Sequence, residues 1–250
     1  MSIGLMFGPS RRQAAAETSF TSTASAAGVR MTVTAQNAPL TSTPIDFGGP
    51  VAQAQLDSLG TSAAFASFPY PGDVVVNLAG TIAGLTSGQV HLPQYPFYVG
   101  SSYPLTPKAS TARGPYTLTA TSQPGGSTAT ADAGLSGSVA VTSLSTTASV
   151  THRADGSVIA RALSTTSPLA LGALHLGTVT SEATAVLKAD GSTTRQSHLN
   201  ITSITVGGLS IALTDKGFTI LNTTVPVPSL DALNALLAPQ HVSVAYVAAR

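Results

Sequence analysis

The sequence predicts an all-β protein in which long antiparallel hairpins form an extended or sandwich-like sheet, with one short C-terminal amphipathic helix packed on it. Three observations lead to this prediction. Segments in which apolar or β-branched residues alternate with Ser and Thr recur along the chain. Gly and Pro clusters separate these segments at short intervals. An Asp-Gly sequence also repeats, at Asp155-Gly156 and Asp190-Gly191.

The alternating segments are typical of an antiparallel sheet with one dry face and one hydroxylated face. Tyr116 to Thr121, Ala148 to Thr151 and Ser203 to Val206 are three examples. From their distribution we expect three regions. Residues 1–29 form a ragged or flexible N-terminus, residues 30–116 form a β-rich region with an aromatic and Pro-rich segment, and residues 117–250 form an antiparallel hairpin repeat region.

The repeat gives the most specific prediction. Arg153 to Ser157 recurs as Lys188 to Ser192, and the apolar pair Leu171 and Leu174 recurs as Val206 and Leu209 at the same offset. Asp and Gly tolerate positive φ, so each Asp-Gly pair suits a tight turn between two strands better than a calcium site. We therefore expect two equivalent hairpins in one continuous sheet, with the apolar pairs on or near its buried face.

The predicted helix covers residues 229–238. Ser229 follows two prolines and is a suitable N-cap, Asp231 lies in the first turn, and Pro239 is a stop. The helix carries a stripe of four leucines, Leu230, Leu233, Leu236 and Leu237. Because its polar face offers no Lys or Arg, packing on the sheet is favoured over anchoring at a membrane surface.

Composition excludes several classes of protein. The 250 residues are 43% hydrophobic and only 8% charged, whereas ordinary soluble domains carry about 25% charged residues. A mean hydropathy of +0.28 and a net charge of +1 argue against intrinsic disorder. The near balance of charge also disfavours binding to nucleic acid. No apolar run approaches the roughly 18 residues of a membrane span, so none is expected.

The sequence offers little for catalysis, cofactors or metals. It contains no Cys, its five histidines show no helical metal-ligand spacing, and it has no nucleophile elbow and no phosphate-binding loop. The only charged residues from Met31 to Pro107 are Asp46, Asp57 and Asp73, so a shared cation site or an acid pair is conceivable there. Each of them, however, lies in a context where Asp commonly caps a turn. We therefore expect no catalytic residue, no cofactor and no metal.

The aromatic and Pro-rich segment is the candidate contact surface. It contains Tyr70, Tyr95, Phe97, Tyr98 and Tyr103, and no Asp, Glu, Lys or Arg occurs from Val74 through Pro107. Tyrosines on rigid, extended backbone offer flat apolar area with a polar tip, which suits binding. The alternative is that these rings fill the core of a subdomain, since aromatic residues dominate core energetics.

Short sequence motifs in and before this segment resemble those of a known type of protein. The runs Asp46 to Pro50, Ser67 to Asp73 and Leu92 to Pro96, followed by the hairpin repeats, look like large secreted or surface proteins of high-GC actinobacteria related to choice-of-anchor proteins. The resemblance implies an extracellular or cell-surface location and carries over no catalytic residue.

Three functions follow as hypotheses. The first is a non-enzymatic structural or adhesive module of the cell surface that contacts a cell-wall glycan or a surface protein through the aromatic segment. The alternative is a carrier of lipid or another apolar ligand, held in a groove between sheet and helix. A third hypothesis, ice binding, rests on Thr-x-Thr pairs such as Thr117/Thr119 and Thr128/Thr130, whose spacing along the chain is irregular.

Overall fold

The computed structural model describes residues 19–33, 45–90, 92–93, 95–134, 143–171, 174–206, 209–214, 217–220, 231, 234–235 and 238–240. These residues form strands, an α-helix of 13 residues and a short 3-10 helix, and Asp231, Asn234 and Ala235 are helical as well. The elements, in chain order, are β1 (Thr21–Val33), β2 (Ile45–Asp57), β3 (Ser62–Ser67), α1 (Asp73–Leu85), β4 (Tyr98–Tyr103), β5 (Lys108–Arg113), β6 (Tyr116–Gln123), β7 (Gly126–Ala133), β8 (Leu144–His152), β9 (Val158–Thr166), β10 (Leu169–Leu171), β11 (Leu174–Leu176), β12 (Val179–Leu187), β13 (Thr193–Val206), β14 (Leu209–Thr214), β15 (Gly217–Ile220) and the 3-10 helix Ala238–Gln240.

Two antiparallel sheets form a sandwich, which confirms the predicted all-β class. The smaller sheet has four strands in the order β1-β2-β3-β4. The larger sheet has eleven strands, ordered β10-β11-β13-β12-β9-β8-β7-β6-β5, with β14 and β15 added beside β13. Strands β1 to β4 pack mainly against β5 to β9 of the large sheet, and Ala185 and Leu187 of β12 also pack against the core.

The core between the sheets consists largely of small side chains, because the inward positions of the alternating strands are mostly alanine. Leu56, Leu118 and Val150 are among the few large side chains that are fully buried there. Buried hydroxyls join the two sheets: the Ser101 and Ser122 Oγ atoms lie 2.8 Å apart and share a hydrogen bond. Hydroxyls bonded in this way avoid the cost of an unpaired polar group.

The sequence repeat is also a structural repeat. Asp155-Gly156 joins β8 to β9 and Asp190-Gly191 joins β12 to β13, and all four strands belong to the large sheet, as predicted. The apolar pairs are opposed residues of tight hairpins, with Leu171 opposite Leu174 and Val206 opposite Leu209. The orientation of those four side chains lies outside what the structure describes.

The structure differs from one predicted boundary and adds one element. Residues 21–29 belong to β1, which pairs with β2 from Thr21 onward, so they are not part of a ragged N-terminus. The region 30–116, expected to be β-rich, also contains the helix α1, which was not predicted. Val74 to Val76 is a β-branched run, but apolar residues recur with a helical period through Leu85, and that longer pattern prevails.

The predicted helix 229–238 falls mostly outside the described residues. Asp231, Asn234 and Ala235 are helical, and a 3-10 turn follows at Ala238–Gln240. The four leucines of the predicted stripe lie outside the described residues, so the packing expected of them stays a prediction.

The threonine pairs form cross-strand rows on the large sheet despite their irregular spacing in sequence. Thr119 lies opposite Thr130, which in turn lies opposite Thr147. The Oγ1 atoms of Thr130 and Thr147 are 3.5 Å apart. Adjacent strands of a sheet are usually rotated by about 20–25°, so such rows turn with the sheet instead of forming a flat lattice. Ice binding therefore gains no specific support.

Candidate binding site

A pocket of about 510 Å³ lies on the outer face of the small sheet, between strands β2 to β4 and α1. Its position follows from strand alternation, since Ala52, Ala54 and Ala66 point into the core while their neighbours point outward. The residues that line it are Gln53, Gln55, Ala63, Ala64, Phe65, Tyr70, Val76, Ala79, Gly80, Tyr95, Tyr98, Gly100, Ser101, Ser102 and Thr106. We call it the aromatic pocket.

The floor of the aromatic pocket is set by the register of three strands. Gln53 of β2 lies opposite Phe65 of β3, which lies opposite Gly100 of β4. Two residues further along β2, Gln55 faces outward in the same way and lies opposite Ala63 of β3. Two amide side chains therefore stand beside an aromatic ring on a surface held by backbone hydrogen bonds.

Tyr70 forms one wall of the pocket. Its backbone N–H donates to the carbonyl oxygen of Gly48 at 2.6 Å and its carbonyl accepts from the Gly48 N–H at 2.7 Å. The ring of Tyr70 stacks on the ring of Phe65, with centroids 6.0 Å apart. Because both the backbone and the ring are held, this wall is formed before a ligand arrives.

Tyr95 is fixed by its hydroxyl. Tyr95 Oη donates to the carbonyl oxygen of Pro69 at 2.7 Å, and its ring meets that of Phe97 edge to face, with centroids 5.7 Å apart. Partial burial raises the pKa of the Tyr95 phenol above its ordinary value, and the nearby Tyr116 raises it further. Tyr95 is therefore a neutral hydrogen-bond donor at physiological pH.

Tyr98 is the exposed ring of the pocket, with 37% of its surface accessible. It lies over Gly100, two residues further along β4. A Cβ atom added at Gly100 would come within 2.5 Å of Tyr98 Oη. The missing side chain at position 100 is what lets this ring lie against the strand.

The five predicted contact residues separate into two groups. Tyr70, Tyr95 and Tyr98 line the aromatic pocket. Phe97 does not line the pocket: its ring meets those of Tyr95 and of the core residue Tyr116, and 37% of its surface is exposed. Tyr103 is half-buried on β4 without lining the pocket. The structure therefore brings three of the five predicted residues together in one pocket.

Sequence reasoning missed Gln53 and Gln55, and it placed Phe65 at the start of the aromatic segment without naming it as a contact residue. Gln53 and Gln55 belong to β2, which precedes that segment, and only the register of β2, β3 and β4 brings these residues beside Tyr98. The alternation of Gln with Ala in residues 52–55 was the available signal, since it marks Gln53 and Gln55 as outward-facing.

The chemistry of the pocket is uncharged throughout. Every lining residue is apolar, aromatic, a hydroxyl or an amide. Amide and hydroxyl groups both donate and accept hydrogen bonds, and aromatic faces contact apolar C–H groups. The arrangement suits a neutral ligand that carries hydroxyls on an otherwise apolar frame.

The other candidate acids lie apart from the pocket lining: Asp46 is in β2 opposite Thr32, and Asp73 is the first residue of α1. Asp57 Oδ1 accepts from the N–H groups of Leu59 and Thr61, both at 2.9 Å, which confirms its expected role in a turn. Arg161 Nε donates to Glu182 Oε1 at 2.6 Å between neighbouring strands. Among the described residues, no three His, Asp or Glu side chains are grouped as metal ligands would be.

Two further findings concern membrane spans and similarity to known proteins. In the described part of the structure, no helix has the length and apolar character needed to cross a membrane. No family model, curated protein or solved structure matches this chain. The resemblance to choice-of-anchor-like proteins therefore stays a prediction.

Proposed function

We propose that this protein is a non-enzymatic extracellular or cell-surface module, structural or adhesive in role, that binds a neutral glycan in the aromatic pocket. The observation that carries the proposal is the combination, in one uncharged pocket, of the exposed ring of Tyr98 with the amides of Gln53 and Gln55.

A sugar ring matches these groups. Its C–H face packs on an aromatic ring and its hydroxyls pair with amide and hydroxyl groups. An anionic sugar finds no cation among the lining residues, so the proposal specifies neutral sugars. The volume of about 510 Å³ is within the range of small-molecule sites.

Point substitutions test this proposal better than a deletion of the aromatic segment. Removing residues 93–103 would remove β4, whose Val99 is a core residue paired with Ala66 of β3. The informative variant is Tyr98→Leu, and its matched control is Tyr103→Leu on the same strand. A second variant, Gly100→Ala, displaces the Tyr98 ring without removing it.

Binding is measured by calorimetric titration with neutral oligosaccharides of N-acetylglucosamine, glucose and mannose, and by sedimentation with purified peptidoglycan. We expect one of these probes to bind, and Tyr98→Leu to weaken that binding about tenfold or more. Gly100→Ala should weaken it as well, and Tyr103→Leu should not. Absence of binding to all probes, or an equal loss in Tyr103→Leu, would overturn the proposal.

The location of the pocket between a sheet and a helix favours a second function, the binding of an apolar ligand. The apolar-ligand hypothesis requires a groove between a sheet and a helix, and the aromatic pocket lies between the small sheet and α1, with Val76 and Ala79 of the helix in its lining. The helix concerned is α1 and not the predicted helix 229–238. Mass spectrometry of ligand extracted from purified protein tests this alternative, and a protein free of lipid that fails to bind a fluorescent fatty acid would count against it.

A further inference from the structure

A second cavity, of about 410 Å³, opens at one end of the sandwich, where hairpin turns of both sheets meet. Its lining comes from the turns that follow β2, β6, β8 and β12, from the strand ends beside them, and from Phe20 just before β1. We call it the turn cavity. It shares no lining residue with the aromatic pocket, so it is a separate site.

The turns around this cavity pack closely on one another. A Cβ built at Gly156 would lie 3.2 Å from the Cβ of Ala189, so the turn after β8 touches the turn after β12. A Cβ built at Gly60 would lie 3.6 Å from the carbonyl oxygen of Pro124, which joins a turn of the small sheet to one of the large sheet. The shape of the cavity is therefore set by the fold before a ligand arrives.

The floor of the turn cavity is apolar. Leu56 and Val158 form its base and are fully buried. Phe20 and Leu187 pack against the core but keep part of their surface accessible, and both line the cavity. The fold thus leaves an apolar surface uncovered inside a concave site, which is the usual character of a small-molecule site.

The free charge at this cavity is positive. Two lining residues carry a full charge, Asp57 and Lys188. Asp57 already accepts two N–H groups of its own turn. Lys188 forms no ion pair and no side-chain hydrogen bond among the described residues. The carboxylate of Asp190, in the same turn as Lys188, accepts from the N–H of Ser192 at 2.8 Å and does not line the cavity.

His152 adds a second polar group at the mouth of the cavity. Its side chain is exposed, and its ring lies beside that of Phe20, with centroids 6.4 Å apart. An imidazole N–H can donate a hydrogen bond, and the ammonium of Lys188 has three N–H donors. The cavity therefore has exposed donors at its mouth and an apolar floor beneath them.

We propose that the turn cavity binds a small molecule that joins an apolar group to a carboxylate. The apolar group lies on Phe20 and Leu187, and the carboxylate stays at the mouth, where it pairs with Lys188. An ion pair of this kind adds a charge-assisted hydrogen bond to the burial of apolar surface. The volume of about 410 Å³ is within the range of small-molecule sites.

The test is calorimetric titration of the full chain with octanoate and with phenylpropionate. We expect both to bind, and the affinity to fall about threefold for each methylene removed from octanoate, because the alkyl chain lies on the apolar floor. Lys188→Gln should weaken octanoate binding about threefold, the size expected of a solvent-exposed ion pair. The same substitution should leave the affinity for octanol unchanged, since octanol carries no charge.

The repeat supplies a matched control, Arg153→Gln. Arg153 occupies the position in the turn after β8 that Lys188 occupies in the turn after β12. The N–H of Arg153 donates to the Ser157 carbonyl and that of Lys188 to the Ser192 carbonyl, both at 2.8 Å. Arg153 does not line the cavity, so its variant should bind octanoate like the unmodified protein. Both side chains are exposed, so neither variant should change the urea unfolding midpoint.

Tyr98→Leu separates this proposal from glycan binding. It alters the aromatic pocket and not the turn cavity, so it should bind octanoate normally, and either site can fail without the other.

Four outcomes would overturn the proposal. The first is absence of binding to both carboxylates, and the second is an equal loss in Arg153→Gln. The third is octylamine that binds as tightly as octanoate, which would show that Lys188 does not select the ligand. The fourth is a loss in Tyr98→Leu without a loss in Lys188→Gln, which would assign the carboxylate to the aromatic pocket.

Discussion

Replacing Gly191 by Ala measures the strain of the Asp-Gly turns directly. Gly191 has φ = +83°, and no heavy atom of the described residues lies within 4 Å of a Cβ built there. The substitution therefore adds backbone strain without a steric clash. An L-residue in this left-handed region costs about 1 kcal/mol relative to glycine, and we expect the free energy of unfolding to fall by that amount. Gly191→Val should cost more, because a β-branched residue is still less tolerant of positive φ.

Gly156 occupies the equivalent position in the first turn, with φ = +81°, but its surroundings differ. A Cβ there would lie 3.2 Å from the Cβ of Ala189, in the neighbouring turn. Gly156→Ala should therefore cost about 0.5 kcal/mol more than Gly191→Ala, because the contact adds to the strain. Ala189→Gly removes the contact, so in the double variant the penalty of Gly156→Ala should return to about 1 kcal/mol.

The assay is equilibrium unfolding in urea followed by tyrosine fluorescence and circular dichroism, with the four proteins of the double-mutant cycle measured together. Gly191→Asn is the control for strain, since Asn tolerates positive φ better than Ala and should recover part of the loss. A neutral Gly191→Ala would refute the strain argument. Equal penalties at positions 156 and 191, with no coupling to Ala189, would refute the contact between the two turns.

Two further predictions concern the core and the response to acid. Tyr116 is buried and its hydroxyl has no hydrogen-bond partner among the described residues. Tyr116→Phe should therefore raise the free energy of unfolding by about 1 kcal/mol in the same urea assay. A loss of stability would contradict this. Hydrogen bonds from Ser157, its hydroxyl first, lower the pKa of Asp155 below its ordinary 3.8, and Ser192 does the same for Asp190. A lowered folded-state pKa contributes stability above pH 3.8 that is lost as the pH falls through the folded value, so the urea midpoint should fall in that window. The double variant Asp155→Asn and Asp190→Asn should lose less there, and identical pH profiles would contradict the argument.

The turns show how far local sequence reasoning extends. Asp155-Gly156 and Asp190-Gly191 predicted both hairpins and their common sheet, because a positive-φ glycine in a short loop determines the register of the strands on either side. A third loop of the same backbone type was expected as a turn at Asp57 but not as a hairpin. Asp57 N–H donates to the Thr61 carbonyl and Gly60 N–H to the Asp57 carbonyl, with φ = +78° at Gly60, the same pattern as in the two predicted turns.

The hairpin at the third loop was not predicted because its side chains differ in order. In the two predicted turns the Asp directly precedes Gly, whereas Asp57 stands three residues before Gly60. Its carboxylate still accepts from the N–H of the residue after Gly, Thr61, as Asp155 and Asp190 do, and it also accepts from the N–H of Leu59. The backbone conformation is set by the glycine, and a motif defined by the Asp-Gly pair does not include this variant.

The site could be predicted only in part, because it depends on two features that are not local. Pairing of β2, β3 and β4 brings Gln53 and Phe65 to Tyr98, and strand pairing over such separations is not encoded in any short window. Helix α1 closes the pocket, yet its first turn contains a run of valines that taken alone favours a strand. The aromatic segment was visible in the sequence, but which of its rings line the pocket was not.

The core side chains are small, so the exposed leucines of α1 differ from the rest of the fold. Most inward positions of the sandwich are Ala, Ser or Thr, so each contributes little apolar area and the sheets are joined in part by hydroxyls such as Ser101 and Ser122. A fold with so few large buried side chains has most to gain from burying any that it carries. Leu78 and Leu85 are nevertheless exposed on α1. Because Leu85 is 78% exposed, it contributes little to the free energy of unfolding, so Leu85→Gln should leave the urea midpoint unchanged, and a fall in that midpoint would contradict this.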